Sequence, residues 1–525
     1  MLGRRLRLAA VVAATLPVAA SLSGCGGQTS PTESPGEGAA APTPTVSIAA
    51  NPASISAGQS STLTWSSTNA SSCSASDGWG GSEPLNGSAT VSPAETTIYT
   101  LTCTGAGGSA SNSATVTVPP SAPRVVAVTY DTGTNPFHPC FRRPNGPSAF
   151  DAIPEIRGIA QSLKLTFAVD YATSLTQSQA AIDQMQPFSL YAIEGTNLLI
   201  YTGTNGGADL VDTYPHGSMA SSQITCPAFS MAPEGFLVIA NWYSNYDGAY
   251  AADSTGAHEV APDLTRLEMW SAQQEWIDVV HLNIQQIAPT VIGTSSVASI
   301  QAMVTAGKFV VIAAGNGLGN AAGHIPTETI DYYSVPGVLV AGANDGTGYA
   351  EFSNLDPHTV MDGCATVAAD YSSFGATRFD GTSSSSPRTT GYVMELLYRL
   401  RQRYGATAGT SGAVLMRLPP GQRPVGGPLA DGVLTVPELH EVIRKTADPT
   451  LAASWLDGDY CGQAYAIPRP VDPQGNDYHR VGYGKLSEHT IDHALNVLTG
   501  AEPMPERPTE DRYYMLSTTA RDARP

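Results

Sequence analysis

Four short stretches of this 525-residue chain carry side chains that could share one chemical task. Phe379-Asp380-Gly381-Thr382-Ser383-Ser384-Ser385-Ser386-Pro387, followed by an apolar run to Arg399, reads as a turn that delivers Ser383 to the first residues of a helix. A hydroxyl there lies beside unpaired backbone N–H groups and the positive end of the helix dipole. Those donors suit the oxyanion formed when a serine attacks a carbonyl. Pro387 is expected in the first turn, where its missing N–H costs little. Asp131-Thr132-Gly133 follows the apolar run 125–130, so a carboxylate can be held rigidly at the end of a buried strand. Asp212-Thr213-Tyr214-Pro215-His216-Gly217-Ser218 places a histidine at the head of a helix, where it could act as a base, with a glycine that permits close approach. Val310-Val311-Ile312-Ala313-Ala314-Gly315-Asn316 is a buried strand ending in small residues and an amide that could donate to an oxyanion. Each word alone is common. Asp-Thr-Gly arises by chance in roughly one such chain in five, and with ten histidines a His-Gly pair is expected about once.

The elements that must position these groups follow from the pattern between residues 124 and 500. Apolar runs at 125–130, 236–240, 277–282, 309–313 and 338–343 read as strands. Residues 264–276, 296–305 and 389–401 read as helices, with Gly307 past the second as a left-handed cap. This alternation predicts an α/β fold, a mostly parallel sheet with helices on both faces and functional residues at the carboxyl ends of strands.

Taken together, the four words resemble the subtilisin-like serine peptidases. The order Asp, His, Asn, Ser is that family's, as are the local words. His138-Pro139, Val335-Pro336-Gly337, Phe352-Ser353-Asn354 and Tyr371-Ser372-Ser373-Phe374-Gly375 add to the likeness, which ends in Gly482-Tyr483-Gly484-Lys485 and a helix to Leu498. The resemblance implies that Ser383 is the nucleophile, His216 the base and Asp131 its orienting acid. It further implies that Asn316 and the Ser383 N–H hold the oxyanion, and that Ala313, Ala314 and Gly315 flank an extended peptide substrate. His216 and Asn316 argue against the related sedolisins, which use a Glu/Asp pair and an aspartate there.

Departures from the family are specific. Asp131 and His216 are 85 residues apart, longer than compact members allow, and residues 198–202 look like an added strand. The substrate-side strand reads His281-Leu282-Asn283-Ile284-Gln285-Gln286 in place of an ending in Ser-x-Gly, and Ser384-Ser385-Ser386 follows the nucleophile in place of Met-Ala. These departures motivate an alternative reading, a catalytically inactive surface protein that binds peptides or a partner.

Outside this region the chain has other business. Arg4, Arg5 and Arg7 precede an apolar run over residues 8–20 that ends in Leu22-Ser23-Gly24-Cys25. The pattern resembles a bacterial lipoprotein signal peptide over residues 1–24, which implies lipidation at Cys25, anchorage to the outside of a bacterial membrane and, with Gly26 following, placement at the outer membrane. Residues 25–45 form a Pro/Gly/Ser-rich tether. Residues 46–118 carry period-2 strands, Leu63 with Trp65, Tyr99 with Leu101 and Cys103, and Ala114 with Val116 and Val118. They resemble an immunoglobulin-like β-sandwich, followed by a linker at 119–123 and, after the peptidase region at 124–500, a tail at 501–525.

Twenty-six Lys and Arg against 45 Asp and Glu give a net charge of −19, which disfavours nucleic acid as a partner. Seven cysteines leave six after Cys25, an even number that suits disulfides in an exported chain. Cys73 and Cys103 are expected to pair. Cys140, Cys226, Cys364 and Cys461 allow three pairings, of which Cys140 with Cys226 and Cys364 with Cys461 is the expectation. The chemistry requires no cofactor. The resemblance and the acidity leave room for structural calcium, with Asp457-Gly458-Asp459 as a candidate loop; two carboxylates fall short of the six to eight oxygens a site needs, and no metal ligand is assigned.

Overall fold

The computed structural model describes residues 40–506 with breaks, the longest at 242–261, 284–296, 317–334 and 465–483. Cys25, Cys461, Asp457 and Gly458 lie outside the described residues. The chain divides into two compact units at Thr117–Val118.

The first unit holds two antiparallel sheets. One contains β1 (Thr45–Asn51), β2 (Ser61–Thr68) and β5 (Gly87–Val91); the other contains β3 (Ser72–Asp77), β4 (Gly81–Glu83), β6 (Thr97–Gly105) and β7 (Gly108–Val116). Leu63, Trp65, Tyr99, Leu101, Ala114 and Val116 are buried, as their alternation requires. Cys73 and Cys103 form a disulfide. They are direct partners on β3 and β6, so the bond staples one sheet. The antibody-type bond crosses between sheets, so this domain departs from the immunoglobulin arrangement there.

The second unit is built on a nine-stranded sheet. Its strands are β8 (Val126–Asp131), β9 (Ala160–Leu163), β10 (Leu190–Ile193), β11 (Leu198–Tyr201), β12 (Phe236–Asn241), β13 (Val279–Leu282), β14 (Phe309–Ala313), β15 (Val338–Asn344) and β16 (Thr359–Asp362). Their spatial order is β16-β15-β14-β13-β8-β12-β11-β10-β9. Every neighbouring pair runs parallel except β10 with β11. Strands buried on both faces need continuous apolar runs, and β8 and β10–β15 are buried along their whole length. The residues between Asp131 and His216 supply β9, β10 and β11, which extend the sheet beyond β12.

The helices are α1 (Ala149–Ala152), α2 (Tyr171–Ile182), α3 (His216–Thr225), α4 (Pro262–Gln273), α5 (Val297–Thr305), α6 (Thr382–Tyr404), α7 (Val436–Thr446) and α8 (Glu488–Leu498). They cover both faces, as two adjacent residues of β8 show. Thr129 reaches His281, which bonds Ser386 of α6, whereas Tyr130 points the other way and bonds Leu267 O and Ser271 Oγ of α4. α6 begins at Thr382, seven residues before the predicted start at 389, and the serine run lies within it. Pro387 is therefore the sixth residue of α6, beyond the first turn expected for it.

A buried ion pair pins the foot of this assembly. Arg401, near the end of α6, donates to both oxygens of Asp278 at 2.9 and 2.6 Å, and to Arg124 O. Asp278 Oδ2 also accepts the Val126 N–H at 2.9 Å. Both side chains are less than 5% exposed. At the far end, Ala501 and Glu502 bond to Asn496 O of α8, and Met504 packs against the core.

Candidate active site

Asp131 ends β8, Asn283 follows β13 in the neighbouring register, and Ala314 to Asn316 follow β14. Three adjacent strands thus deliver polar groups to one edge of the sheet, where open α/β sheets place their sites.

His216 opens α3, and its Nδ1 lies 2.7 Å from Asp131 Oδ1. The Thr132 N–H also donates to Asp131 Oδ1, at 2.8 Å, and Asn283 Nδ2 donates to Oδ2 at 3.1 Å. Burial alone would raise the Asp131 pKa, but the charge and hydrogen bond of His216 and the Thr132 N–H outweigh it and hold the carboxyl below its ordinary value. An ionised Asp131 can only accept, so the His216 proton sits on Nδ1 and Nε2 is left as a base. For His216, burial would lower the pKa, while the charge and hydrogen bond of Asp131, with the charge of Asp212, carry it above the usual histidine value. Phe379 stands edge-on to the imidazole at 5.4 Å between ring centres.

Each residue of Asp131-Thr132-Gly133 has a separate task. The Thr132 hydroxyl accepts the Gly217 N–H at 2.8 Å and donates to Asp212 Oδ1 at 2.8 Å. Asp212 Oδ2 accepts the Ser218 N–H at 2.6 Å and so holds the first turn of α3. Burial pushes the Asp212 pKa up to about 7. Gly133 has φ +113°, and Gly217 packs so closely on it that an added Cβ would sit 2.3 Å from Gly133 O. The loop beyond is tied down by Asn135 Nδ2, which donates to Asp370 O and Ser373 O at 3.0 and 2.9 Å, and by His138 Nε2, 2.9 Å from Gly375 O. The His138-Pro139 and 371–375 words thus meet each other. Cys140 and Cys226 form a disulfide, and Cys364 is also disulfide-bonded.

Ser383 occupies the second position of α6, after Gly381 at φ +104°. It is half-buried, whereas Ser384, Ser385 and Ser386 are fully buried. The three buried hydroxyls are committed to structure. Ser384 Oγ donates to Gln223 Oε1 at 3.0 Å and lies 2.6 Å from Thr366 Oγ1. Ser385 Oγ donates to Thr382 O at 3.1 Å, and Ser386 Oγ to Asn283 Oδ1 at 3.0 Å. Asn316 Oδ1 accepts the Thr382 N–H and hydroxyl at 2.9 and 3.0 Å, which fixes the amide against the start of α6. Its Nδ2 would lie 3.1 Å from a Cβ at Gly381. Gly315, at φ +90°, donates its N–H to Thr382 Oγ1, and Ala313 and Ala314 are buried at the end of β14.

Asn283 was legible only as a departure from a family word, yet it links the two halves of the site. Its Nδ2 donates both to Asp131 Oδ2 and, at 3.1 Å, to the carbonyl of Ser383. An amide directly after a buried strand is the signal that marks it. Residues 284–286 lie outside the described residues. Among the described residues, no group of three or more His, Cys, Asp or Glu could hold a metal ion.

No protein-family model and no curated protein matches this chain. Among solved structures, one described as the prenylagaramide maturation protease PagA is 16% identical and aligns over 73% of this chain and 96% of its own, with a TM-score of 0.37. A cold-adapted subtilisin-like serine proteinase is 15% identical over 65% of this chain and 87% of its own, with a TM-score of 0.34.

Proposed function

We propose that this chain is a serine endopeptidase of the subtilisin-like type, working through an acyl-enzyme. The observation that carries the reading is the Asp131–His216 pair, 2.7 Å apart, joined through Asn283 to the half-exposed Ser383 at a helix start. Ser383 Oγ attacks the peptide carbonyl carbon while His216 Nε2 takes its proton. Asp131 holds the imidazole in the required tautomer and stabilises the imidazolium. The negative oxygen is received by Asn316 Nδ2 and the Ser383 N–H. That N–H lies in the first helical turn, where no intrahelical acceptor exists. His216 then protonates the leaving amine, the C–N bond breaks, and a water activated by the same histidine releases the acyl group. The peptide would lie along Ala313, Ala314 and Gly315 as an added strand. Cofactors are not needed for these steps.

The amino-terminal segment supports a location outside the cytoplasm, with Cys25 as the lipid anchor, residues 25–45 as tether and the β-domain as spacer. The test is labelling by a fluorophosphonate probe, comparing the protein with its Ser383→Ala variant. Labelling that disappears in the variant supports the reading. Absence of labelling in the folded parent overturns it and favours a protein that binds peptides without cleaving them.

A further inference from the structure

We propose that Asn283 is a positioning residue that couples Asp131 to Ser383, and that Ser386 and His281 orient it through a one-way chain of hydrogen bonds. The inference deepens the serine peptidase reading and rests on it.

Pro387 supplies the first part of the argument. In an α-helix the N–H of residue 387 would bond the carbonyl of residue 383. Proline has none, so the carbonyl of the proposed nucleophile loses its helical partner. Asn283 Nδ2 takes that place at 3.1 Å. The proline thus opens a socket on the backbone of Ser383 itself, and a side chain from the end of β13 fills it.

The second part is the direction of the chain. Asp131 Oδ2 and Ser383 O have no proton to give, so the group between them must be the NH₂ of Asn283, with both hydrogens used. Asn283 Oδ1 must then accept, and the Ser386 hydroxyl donates to it at 3.0 Å. With its proton committed, Ser386 Oγ can only accept from His281 Nε2, also at 3.0 Å. A neutral His281 protonated on Nε2 has a bare Nδ1, which accepts from the Thr129 hydroxyl at 2.9 Å. Every donor from Thr129 to Asn283 points towards Asp131. Thr129, His281 and Ser386 are wholly buried and Asn283 is 9% exposed, so in the intact site these groups bond to one another and not to bulk water. Reversing any member would face two donors or two acceptors, so the network permits one arrangement.

The consequence is that the distance between the carboxylate and the nucleophile's backbone is set by one carboxamide. A peptidase needs only Asp131 to orient His216; here the same carboxylate is also braced against the helix that carries Ser383.

The experiment measures the rate of fluorophosphonate labelling against pH for the parent, Asn283→Ala, Ser386→Ala and the double variant, with thermal melting as a check on folding. Asn283→Ala is expected to label about 10²-fold more slowly, the cost of a misplacement near 1 Å. Its acid limb should move to higher pH, because an Asp131 that loses a donor attracts the imidazolium proton more strongly. Ser386→Ala should lose about tenfold, and the double variant should match Asn283→Ala, since Ser386 acts through Asn283. A folded Asn283→Ala variant that labels at the parental rate with an unmoved acid limb overturns the proposal while leaving the peptidase reading intact. If Asn283→Ala does not fold, Ser386→Ala decides, and parental labelling by it overturns the chain. A parent that does not label at all overturns the underlying reading and this proposal with it.

Discussion

Gly217→Ala sets two effects of known size against each other. Alanine in place of glycine is worth at most about 1 kcal/mol in its favour, the value for a helix interior, and Gly217 is the second residue of α3. Against this, the new Cβ would stand 2.3 Å from Gly133 O, 2.9 Å from Gly133 N and 3.0 Å from Thr132 N. Ordinary contact begins near 3.4 Å, so the nearest atom lies about 1.1 Å too close. All three obstructing atoms are backbone of the segment that carries Asp131, so no side chain can swing aside. Overpacking of this kind costs about 1–3 kcal/mol, enough to cancel or exceed the helix gain. The larger effect falls on geometry. Separating α3 from the Asp131 loop by about 1 Å stretches the 2.7 Å bond between His216 and Asp131 and breaks that of Gly217 N–H to Thr132. A displacement of that size typically costs about 10²-fold in rate. The expected outcome is fluorophosphonate labelling about 10²-fold slower, with a melting temperature near or below the parent's. Labelling within about threefold of the parent would refute the claim that this contact sets the histidine's position.

Other outcomes follow from the same geometry. The base must be neutral, and Asp131 holds the His216 pKa above its ordinary value. The labelling rate should therefore fall about tenfold per pH unit below a midpoint higher than about 6.5, and Asp131→Asn should shift that midpoint down. Arg401→Met removes the buried partner of Asp278 and leaves that side chain the Val126 N–H as its remaining hydrogen-bond donor, and chemical denaturation should show a loss of about 3–5 kcal/mol. His281, His358 and His440 are held neutral chiefly by burial, His281 with its pKa pushed down to about 3. Their contribution to stability is full above the unfolded value of about 6.5. It is lost as pH falls below that, by about 1.4 kcal/mol per pH unit for each histidine until its folded pKa is reached. Denaturation midpoints measured from pH 7 down to pH 4 check this, and a flat profile contradicts it.

The sequence was most readable where one physical cause dominated. Central parallel strands must be apolar throughout, so β8, β12, β14 and β15 stood out within a residue or two of their ends. Edge strands carry no such demand. β9 reads Ala-Gln-Ser-Leu with Gln161 and Ser162 exposed, and nothing in that composition separates it from a loop. Asp131, His216, Asn316 and Ser383 could be singled out as candidates because each sits in a short word whose neighbours are constrained too, such as Gly217 by the backbone of Gly133. Asn283 belongs to no such word, and Ser386, though it lies in the word of Ser383, is one of three consecutive serines that the word does not tell apart. Their meaning depends on groups 100 to 152 residues away, which local spacing does not reveal. Pro387 misled in a more instructive way. A proline near a helix start usually marks the first turn, but here it lies one turn deeper, and the carbonyl it orphans is engaged from another strand.

The bonds that assemble the site join residues 85, 100, 103 and 152 positions apart. Contacts of such span form slowly, because the chain must close long loops before any of them contributes. The Asp131 loop, the head of α3 and the start of α6 are separate in sequence, and none of them alone brings two of the candidate groups together. The candidate site therefore assembles only when β8, β13 and β14 are aligned and α6 has docked across them. Until that moment the chain carries the proposed nucleophile, base and acid as three unrelated side chains, and the site they would form does not yet exist.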